Sequence, residues 1–369
     1  LFKKARQLAY AFESCIVFID EIDAIGRGRR FSFMGGEETN STQNQLLVEM
    51  DGLRDRNEQV IVIGATNAPE EVLDKALLRA GRFDRKIYIS PPGLEGREEL
   101  FKYYLGKVKH DQSIDIGRLA RKSVYKSAAS SKNIVKEATL IALRQKKQVV
   151  EFKDISAAID RIEMRIKHKT KMTDYEKEMV AYHESGHLIV LYILHPTDDV
   201  FKASIATRGG ALGAVVQQPR EELFTANREQ VLANIKASLG GYVAEKLRFK
   251  TTSTGVSDDF KKAMALAHNM VWRFGMGQAS PLGDYSIIPE KELSESIKEK
   301  LNAETQRILT ECYKEVEELL KKEWKIAERF AKELLEKEEL EYDEIEAIFK
   351  EYGIKSSKFS LSKPQELGR

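Results

Sequence analysis

The sequence is poor in cysteine, with only Cys15 and Cys312 among its 369 residues. The two lie far apart in the chain and form no C-x-x-C spacing. This argues against a disulfide framework and against a thiolate metal site. We therefore expect a protein of a reducing compartment.

Long apolar runs are absent as well. The longest, residues 188–194, is far shorter than the roughly 20 residues that a helix needs to cross a bilayer. The N-terminus shows no signal-peptide pattern, so we expect the printed sequence to be soluble. Charged residues make up 32% of the chain, but the formal net charge is only +2, which gives no overall attraction to nucleic acid.

The pattern of apolar residues predicts three parts, because the chain is too long for one hydrophobic core. Residues 1–94 alternate apolar runs such as CIVFI with helix-like segments, which is typical of βαβ units with a buried parallel sheet. Residues 95–168 are helical, with Asp154 as a helix cap, and KHKTKM, which begins at residue 167, follows as a linker. Residues 169–369 are mostly helical, with two strands in VFKASIATRGGALGAVVQQP. The predicted fold class is α/β followed by all-α.

The third part contains the segment HESGH. Thr173 and Glu176 predict a capping box that begins its helix, which should end before a His-Pro pair. His183 and His187 are four residues apart, so on a helix both imidazoles lie on one face and can bind one ion. Glu184 lies within reach of a water molecule at that ion and can act as a general base. This pattern predicts a zinc peptidase.

A catalytic zinc site needs a third protein ligand. The residues leave three candidates open: Asp258 and Asp259, where Ser257 would cap a new helix, and Glu245. The acidic pair could equally be ordinary charge at a helix N-terminus. Gly186, between the two histidines, indicates close approach by another segment.

The first part carries polar residues typical of a nucleotide site. Asp20 and Glu21 follow an apolar strand, where they could place Mg²⁺ and polarise a water molecule against a γ-phosphate. Asn67 follows the next apolar strand. Arg79 and Arg82 could stabilise the transition state at a neighbouring subunit's nucleotide.

Simpler interpretations exist for these residues. A strand that ends in Asp-Glu is often a strand running into a solvated turn, and the arginines could form a surface ion-pair cluster with Asp84. The sequence also contains no G-x-x-x-x-G-K-[ST] phosphate loop. We therefore expect that these residues alone do not complete a nucleotide site.

Seven motifs, taken in order, resemble the FtsH family of membrane-anchored AAA+ zinc metalloproteases. They are IVFIDEIDAIGR, NQLLVEMDG, IGATN, LLRAGRFDR, HESGH, LGGYVAEKL and STGVSDD. The resemblance implies an ATP-driven homohexamer that pulls membrane and misfolded soluble proteins into a zinc peptidase chamber. It also implies the cytoplasmic face of a bacterial inner membrane, or the equivalent organelle membrane. The three predicted parts would then be a truncated AAA+ core, its helical lid and the peptidase domain.

The resemblance also implies roles for individual residues. Zn²⁺ would be bound by His183, His187 and Asp259, with Glu184 as the general base and Glu245 in support. ATP with Mg²⁺ would be bound by residues that match the Walker B acids, sensor 1 and two arginine fingers: Asp20, Glu21, Asn67, Arg79 and Arg82.

Two positions depart from the family pattern. Ala80 stands where a proline is usual, and SAASSK at residues 127–132 replaces a Gly-Ala-Asp helix start in the lid. By analogy, the transmembrane region, the phosphate loop and the pore loop would precede Leu1. Two other classes of protein stay open: a protein-remodelling machine without peptidase activity, and a ring scaffold that no longer cycles ATP.

Overall fold

The computed structural model describes residues 1–26, 37–53, 59–163, 172–207, 212–220, 222–278 and 282–354. The chain divides into two compact units, Leu1–Ser90 and Pro91–Arg369. The predicted boundaries at residues 94 and 168 stay predictions, and the proposed linker KHKTKM lies almost entirely outside the described residues. Among the described residues no helix is both long and apolar enough to cross a membrane.

The first unit contains two parallel strands. Its elements are α1 (Phe2–Phe12), β1 (Ser14–Ile19), α2 (Asp23–Gly26), α3 (Glu37–Asp51) and β2 (Gln59–Gly64). β1 pairs with β2 in parallel, as the sequence predicts, with Ile19 opposite Gly64. Val17 is buried, whereas Ile16 and Phe18 on the opposite face are 64% and 61% exposed. The prediction of a buried parallel sheet is therefore wrong for the described residues, because they cover only one face of this sheet.

The second unit begins with four helices around a small apolar core. They are α4 (Leu94–Leu105), α5 (Ile116–Lys122), α6 (Ala128–Arg144) and α7 (Phe152–Glu163). The prediction that Asp154 caps α7 is wrong, because Asp154 lies inside the first turn. From there its carboxylate accepts the backbone N–H of Glu151. The largest core residues of these helices include Phe101, Leu105, Leu119, Ile155 and Ile159.

The rest of this unit packs helices against a small antiparallel sheet. Its elements are α8 (Asp174–Leu194), β3 (Asp198–Ser204), β4 (Ala214–Pro219), α9 (Arg228–Phe249), α10 (Ser257–Trp272), α11 (Glu295–Lys322), α12 (Trp324–Lys337), β5 (Glu339–Glu341) and α13 (Tyr342–Glu351). The strand order is β4-β3-β5, which makes β4 an edge strand. The predicted strands β3 and β4 are confirmed.

Two local predictions for this region are wrong. The sequence predicts only two strands in residues 169–369, but a third short strand, β5, forms where the fully buried Leu340 lies beside β3. Ser257 is the first residue of α10 and not its cap, since a short 3-10 turn, Thr254–Val256, leads directly into the helix.

Candidate active site

Helix α8 places two imidazoles side by side. The predicted capping box is present, with Thr173 and Glu176 satisfying each other's backbone N–H groups at the start of the helix. His183 and His187 lie one turn apart on its inner face, and their Nε2 atoms are 3.0 Å apart. Because a helix turns once in 3.6 residues, this spacing brings both rings to one point.

A carboxylate from another helix meets the two rings. Asp259, in the first turn of α10, places Oδ2 3.2 Å from His183 Nε2 and 3.3 Å from His187 Nε2. The three residues offer ligand atoms that all lie within 4.8 Å of one another. Of the three acids that the sequence left open, the structure brings Asp259 to the Nε2 atoms. Asp258 does not join this group of ligand atoms among the described residues.

Glu245 lies behind the first ring. Its Oε1 is 2.8 Å from His183 Nδ1, the nitrogen that points away from Asp259. The same carboxylate accepts the backbone N–H of Ser253 at 2.6 Å. The second ring is held in a similar way, with His187 Nδ1 2.7 Å from the carbonyl oxygen of Ala237. Both Nδ1 atoms are engaged, so both Nε2 atoms are left to face the shared point.

The donor set fits a zinc ion. Zn²⁺ is commonly bound at catalytic sites by two imidazoles and one carboxylate, with a further position left open. His183, His187 and Asp259 provide these three groups. Hydrogen bonds that orient the far side of each ring are also typical of metal-binding histidines.

The charges in the site are strongly coupled. Burial opposes protonation of His183, but its hydrogen bonds to Asp259 and Glu245 outweigh burial and raise its pKa to about 10. Burial likewise opposes ionisation of Asp259, yet hydrogen bonds from both histidines hold its pKa well below the usual range. The carboxylates thus favour positive charge at the imidazoles, which is the environment that a bound cation needs.

Glu184 is buried beside this cluster and is only 5% exposed. Burial raises the pKa of its carboxyl group above the ordinary value. Gly213, just before β4, lies so close that a Cβ built there would be 2.4 Å from Glu184 Oε1. The Glu184 carboxylate is therefore confined between α8, which carries the two histidines, and the residue just before the edge strand β4.

Small residues allow α8 and α9 to cross at the site. A Cβ at Gly186 would be 2.3 Å from the carbonyl oxygen of Gly240, which confirms the close approach predicted for this glycine. A Cβ at Gly241 would be 2.4 Å from a ring atom of His183. The Gly-Gly pair of LGGYVAEKL is therefore part of the site, and sequence reasoning did not assign it that role.

Comparison with known proteins agrees with this geometry. A family model described as peptidase family M41 matches residues 170–348, and one for the AAA ATPase family matches residues 1–91. ATP-dependent zinc metalloprotease FtsH 2 of Bdellovibrio bacteriovorus is 38% identical over 97% of this chain and 60% of its own length. The chain belongs to the FtsH family.

Other FtsH relatives show the same relationship. ATP-dependent zinc metalloprotease FtsH of Cupriavidus metallidurans is 38% identical over 94% of the chain and 54% of its own length. FtsH 1 of Petrotoga mobilis is 40% identical over 87% of the chain and 50% of its own length. The chain thus spans between half and three fifths of the length of these FtsH relatives.

In the AAA segment of this FtsH-family chain, the expected polar residues lie at one edge of the parallel sheet. Asp20 and Glu21 follow the end of β1, and Asn67 follows the end of β2, which is parallel to it. Glu21 adopts a left-handed backbone conformation with φ of 51°, which is uncommon for a residue with a side chain. Ligands of parallel sheets bind at this edge.

Arg82 is bound within its own chain. Its guanidinium donates to both carboxylate oxygens of Asp51, at 2.9 and 2.7 Å, and to the carbonyl oxygen of Ala76. The simpler interpretation, an ion pair, is therefore present with Asp51 as partner, whereas the sequence suggested Asp84. The backbone carbonyl of Arg79 accepts the N–H of Arg82 at 3.1 Å.

The segment SAASSK at residues 127–132, which departs from the family pattern, still forms a regular helix N-terminus. Ser127 caps α6, and its hydroxyl oxygen accepts the backbone N–H of Ser130. Serine is among the preferred N-cap residues, so the altered sequence preserves the helix.

Proposed function

We propose that this chain is part of an ATP-dependent zinc metalloendopeptidase that unfolds and degrades membrane and misfolded soluble proteins. The observation that carries the proposal is the cluster of His183, His187 and Asp259 beside the buried carboxylate of Glu184. The relatives named above, which are called ATP-dependent zinc metalloproteases, support the same activity.

In this proposal the ion is held by His183 Nε2, His187 Nε2 and Asp259 Oδ2. When bound, zinc supplies Lewis-acid polarisation of the scissile carbonyl group and makes water a stronger acid. Glu184 accepts the proton of the attacking water and delivers it to the leaving amine. Burial raises the pKa of its carboxyl group, and a more basic carboxylate is a better proton acceptor.

The nucleotide residues form the second half of the proposal. In the complete protein, Asp20 would place Mg²⁺, Glu21 would polarise the attacking water, and Asn67 would contact the γ-phosphate. Arg79 and Arg82 would act on the nucleotide of the neighbouring subunit in a homohexamer. Arg82 would first have to exchange Asp51 for that phosphate.

The partners and location follow from the same proposal. Protein substrates would be drawn from the membrane and from misfolded soluble chains, and the complete protein would be anchored at the cytoplasmic face of a bacterial or equivalent organelle membrane. No nucleic-acid partner is proposed. The near-neutral charge balance of +2 supports this, because nucleic-acid binding relies on basic surfaces.

The central test combines metal analysis with cleavage of casein. The purified chain should hold about one zinc ion. Glu184→Gln should keep the ion but reduce cleavage by a factor on the order of 10² or more, because an amide cannot accept the proton. Glu178→Gln is the matched control, since Glu178 lies on the same helix and forms a surface ion pair with Arg248.

Replacement of His187 by alanine should remove both zinc and cleavage. Full zinc occupancy in that variant would contradict the ligand assignment. Equal casein cleavage by wild type and Glu184→Gln would contradict the role of Glu184 as the general base. Bound zinc without any cleavage by the wild-type chain would favour the protein-remodelling alternative.

A further inference from the structure

The unit Pro91–Arg369 contains a cavity of about 330 Å³ that is wide open to solvent. Its apolar and aromatic walls come from Tyr125, Pro219, Leu223 and Phe224, and His195 and Gln230 contribute polar groups. None of the candidate zinc ligands lines it. Its volume is near the lower end of the range for ligand pockets, which suits one large side chain.

Strand β4 connects this cavity to the active site. Alternate residues of a strand share one face, so positions 213, 217 and 219 lie on the same side of the chain. At Gly213 that side faces Glu184, at Gln217 the side chain donates to Asn234 of α9 at 3.2 Å, and Pro219 lines the cavity. Asn234 also lines the cavity. One face of β4 therefore runs from the catalytic carboxylate to the cavity.

The strand is suited to guide an extended peptide. β4 is at the edge of its sheet, and all six of its residues are partly exposed. A peptide that adds to such an edge forms main-chain hydrogen bonds and places alternate side chains in pockets. At about 3.3 Å per residue, the six steps from Gly213 to Pro219 span about 20 Å.

A residue of the four-helix segment α4–α7 completes the cavity wall. The hydroxyl group of Tyr125 donates to the carbonyl oxygen of Leu223 at 2.8 Å and accepts its N–H at 2.9 Å. Tyr125 has a φ of 61°, an uncommon conformation for a bulky residue. The neighbouring Glu222 is paired with the buried Arg97. These two contacts hold the loop that carries Phe224.

We propose that this cavity is a distal substrate subsite that takes an aromatic side chain about six residues from the scissile bond. The two rings at its wall, Tyr125 and Phe224, favour an aromatic occupant, since rings pack edge-to-face or offset. Phe224 is 93% exposed and gains a partner when the site fills. The inference rests on the proposed peptidase function, because that function supplies the extended peptide.

The test uses peptide hydroxamates, whose hydroxamate group binds zinc and so fixes the peptide at the catalytic end. Two fluorescent series carry the hydroxamate at the C-terminus or at the N-terminus, so that both directions along β4 are covered. Each has phenylalanine or serine about six residues from the hydroxamate. Kd is measured by fluorescence anisotropy on the zinc-loaded Glu184→Gln chain, which prevents cleavage.

In one of the two series, phenylalanine should lower Kd about tenfold relative to serine. Phe224→Ala should abolish this preference, and Tyr125→Phe should weaken it, because the loop loses its hydroxyl anchor. Leu282→Ala is the matched control, since Leu282 is 88% exposed but does not line the cavity. That variant should keep the full preference.

The outcomes separate the two proposals. Tight hydroxamate binding with equal Kd for phenylalanine and serine in both series overturns the subsite and leaves the zinc peptidase intact. A preference that survives Phe224→Ala and Tyr125→Phe also overturns the subsite. Failure of every hydroxamate to bind the zinc-loaded chain contradicts the proposed peptidase centre and, with it, the subsite.

Discussion

Gly213 lies directly against the carboxylate of Glu184: a Cβ at position 213 would be 2.4 Å from Oε1 and 2.8 Å from Cδ. The conflict extends to Cγ of Glu184, also 2.8 Å away, so a larger residue at position 213 would displace the Glu184 side chain from its place beside the histidines. The start of an edge strand therefore determines where the proposed general base can lie.

Gly213→Ala should consequently impair catalysis more than metal binding. A displacement of a catalytic group by about 1 Å reduces rates on the order of 10²-fold. We expect a loss of this size in kcat/KM for a quenched peptide, with zinc content unchanged. Gly93→Ala is the control, because nothing lies within 4 Å of a Cβ at that position. A wild-type kcat/KM in Gly213→Ala would show that a Cβ at position 213 does not displace the Glu184 carboxylate.

Glu245 should matter for zinc affinity although it lies outside the ligand set. Its carboxylate fixes His183 Nδ1 at 2.8 Å, and loss of such a partner usually weakens metal binding by about 10- to 100-fold. Glu245→Ala should show this loss in a competition titration with a chelator. Glu178→Ala, which removes a surface carboxylate, should bind zinc like wild type. Equal affinities for both variants would show that Glu245 does not orient the ring.

Two buried lysines tie α5 and α7 to the small sheet. Lys202 on β3 is 2% exposed and lies 2.5 Å from Asp160 and 3.0 Å from Glu341. Lys122 is also buried, and its Nζ lies 2.7 Å from the hydroxyl group of Ser156. Removing one partner of such a cluster leaves charge buried without full compensation.

Lys202→Met should therefore destabilise the second unit by about 3–5 kcal/mol. Both tryptophans, Trp272 and Trp324, lie in this unit, so their fluorescence in urea reports its unfolding separately. Lys236→Met is the control, because Lys236 pairs with the largely exposed Glu315 and should contribute about 1 kcal/mol at most. If the two variants unfold at the same urea concentration, the buried cluster adds no stability.

Sequence patterns within a few residues of one another were enough to predict α8, the helix that carries His183 and His187. The capping box at Thr173, the spacing of His183 and His187, and the stop at a His-Pro pair all depend on residues within one helix. The strands β3 and β4 were predictable for the same reason, since a Gly-containing turn joins two β-rich runs. Interactions of this kind are formed within a few residues of each other.

Contacts between distant segments were not predictable from local patterns, and only the resemblance to the FtsH family pointed to Asp259 as the third ligand. Asp259 lies 76 residues from His183, and the choice between it, Asp258 and Glu245 depends on how α9 and α10 cross α8. The carbonyl oxygen of Ala237 carries no sequence signal at all, because every residue has one. The short strand β5 was missed because a buried Leu340 beside β3 outweighs the helical pattern around it.

Because the Cys312 thiol is buried, the free energy of unfolding of the second unit should depend on pH. Its side chain lies in the core formed by α9, α10 and α11 and is 1% exposed. Burial raises the pKa of the thiol from 9.0 to about 11. Between these values the folded chain keeps its proton, whereas the unfolded chain releases it.

The free energy of unfolding should therefore fall as pH rises from about 9 to about 11, by an amount on the order of 2 kcal/mol. The sign follows because the folded state binds more protons than the unfolded state in this interval, so rising pH favours unfolding. Cys312→Ala has no thiol to titrate. The difference in unfolding free energy between wild type and this variant, measured by tryptophan fluorescence with reductant present, should be constant below about pH 9 and should shift against wild type above it. Other groups that ionise in this range cancel in the difference. A difference that stays flat up to pH 11 would show that the Cys312 thiol ionises equally in both states, and that burial in this core does not disfavour the thiolate.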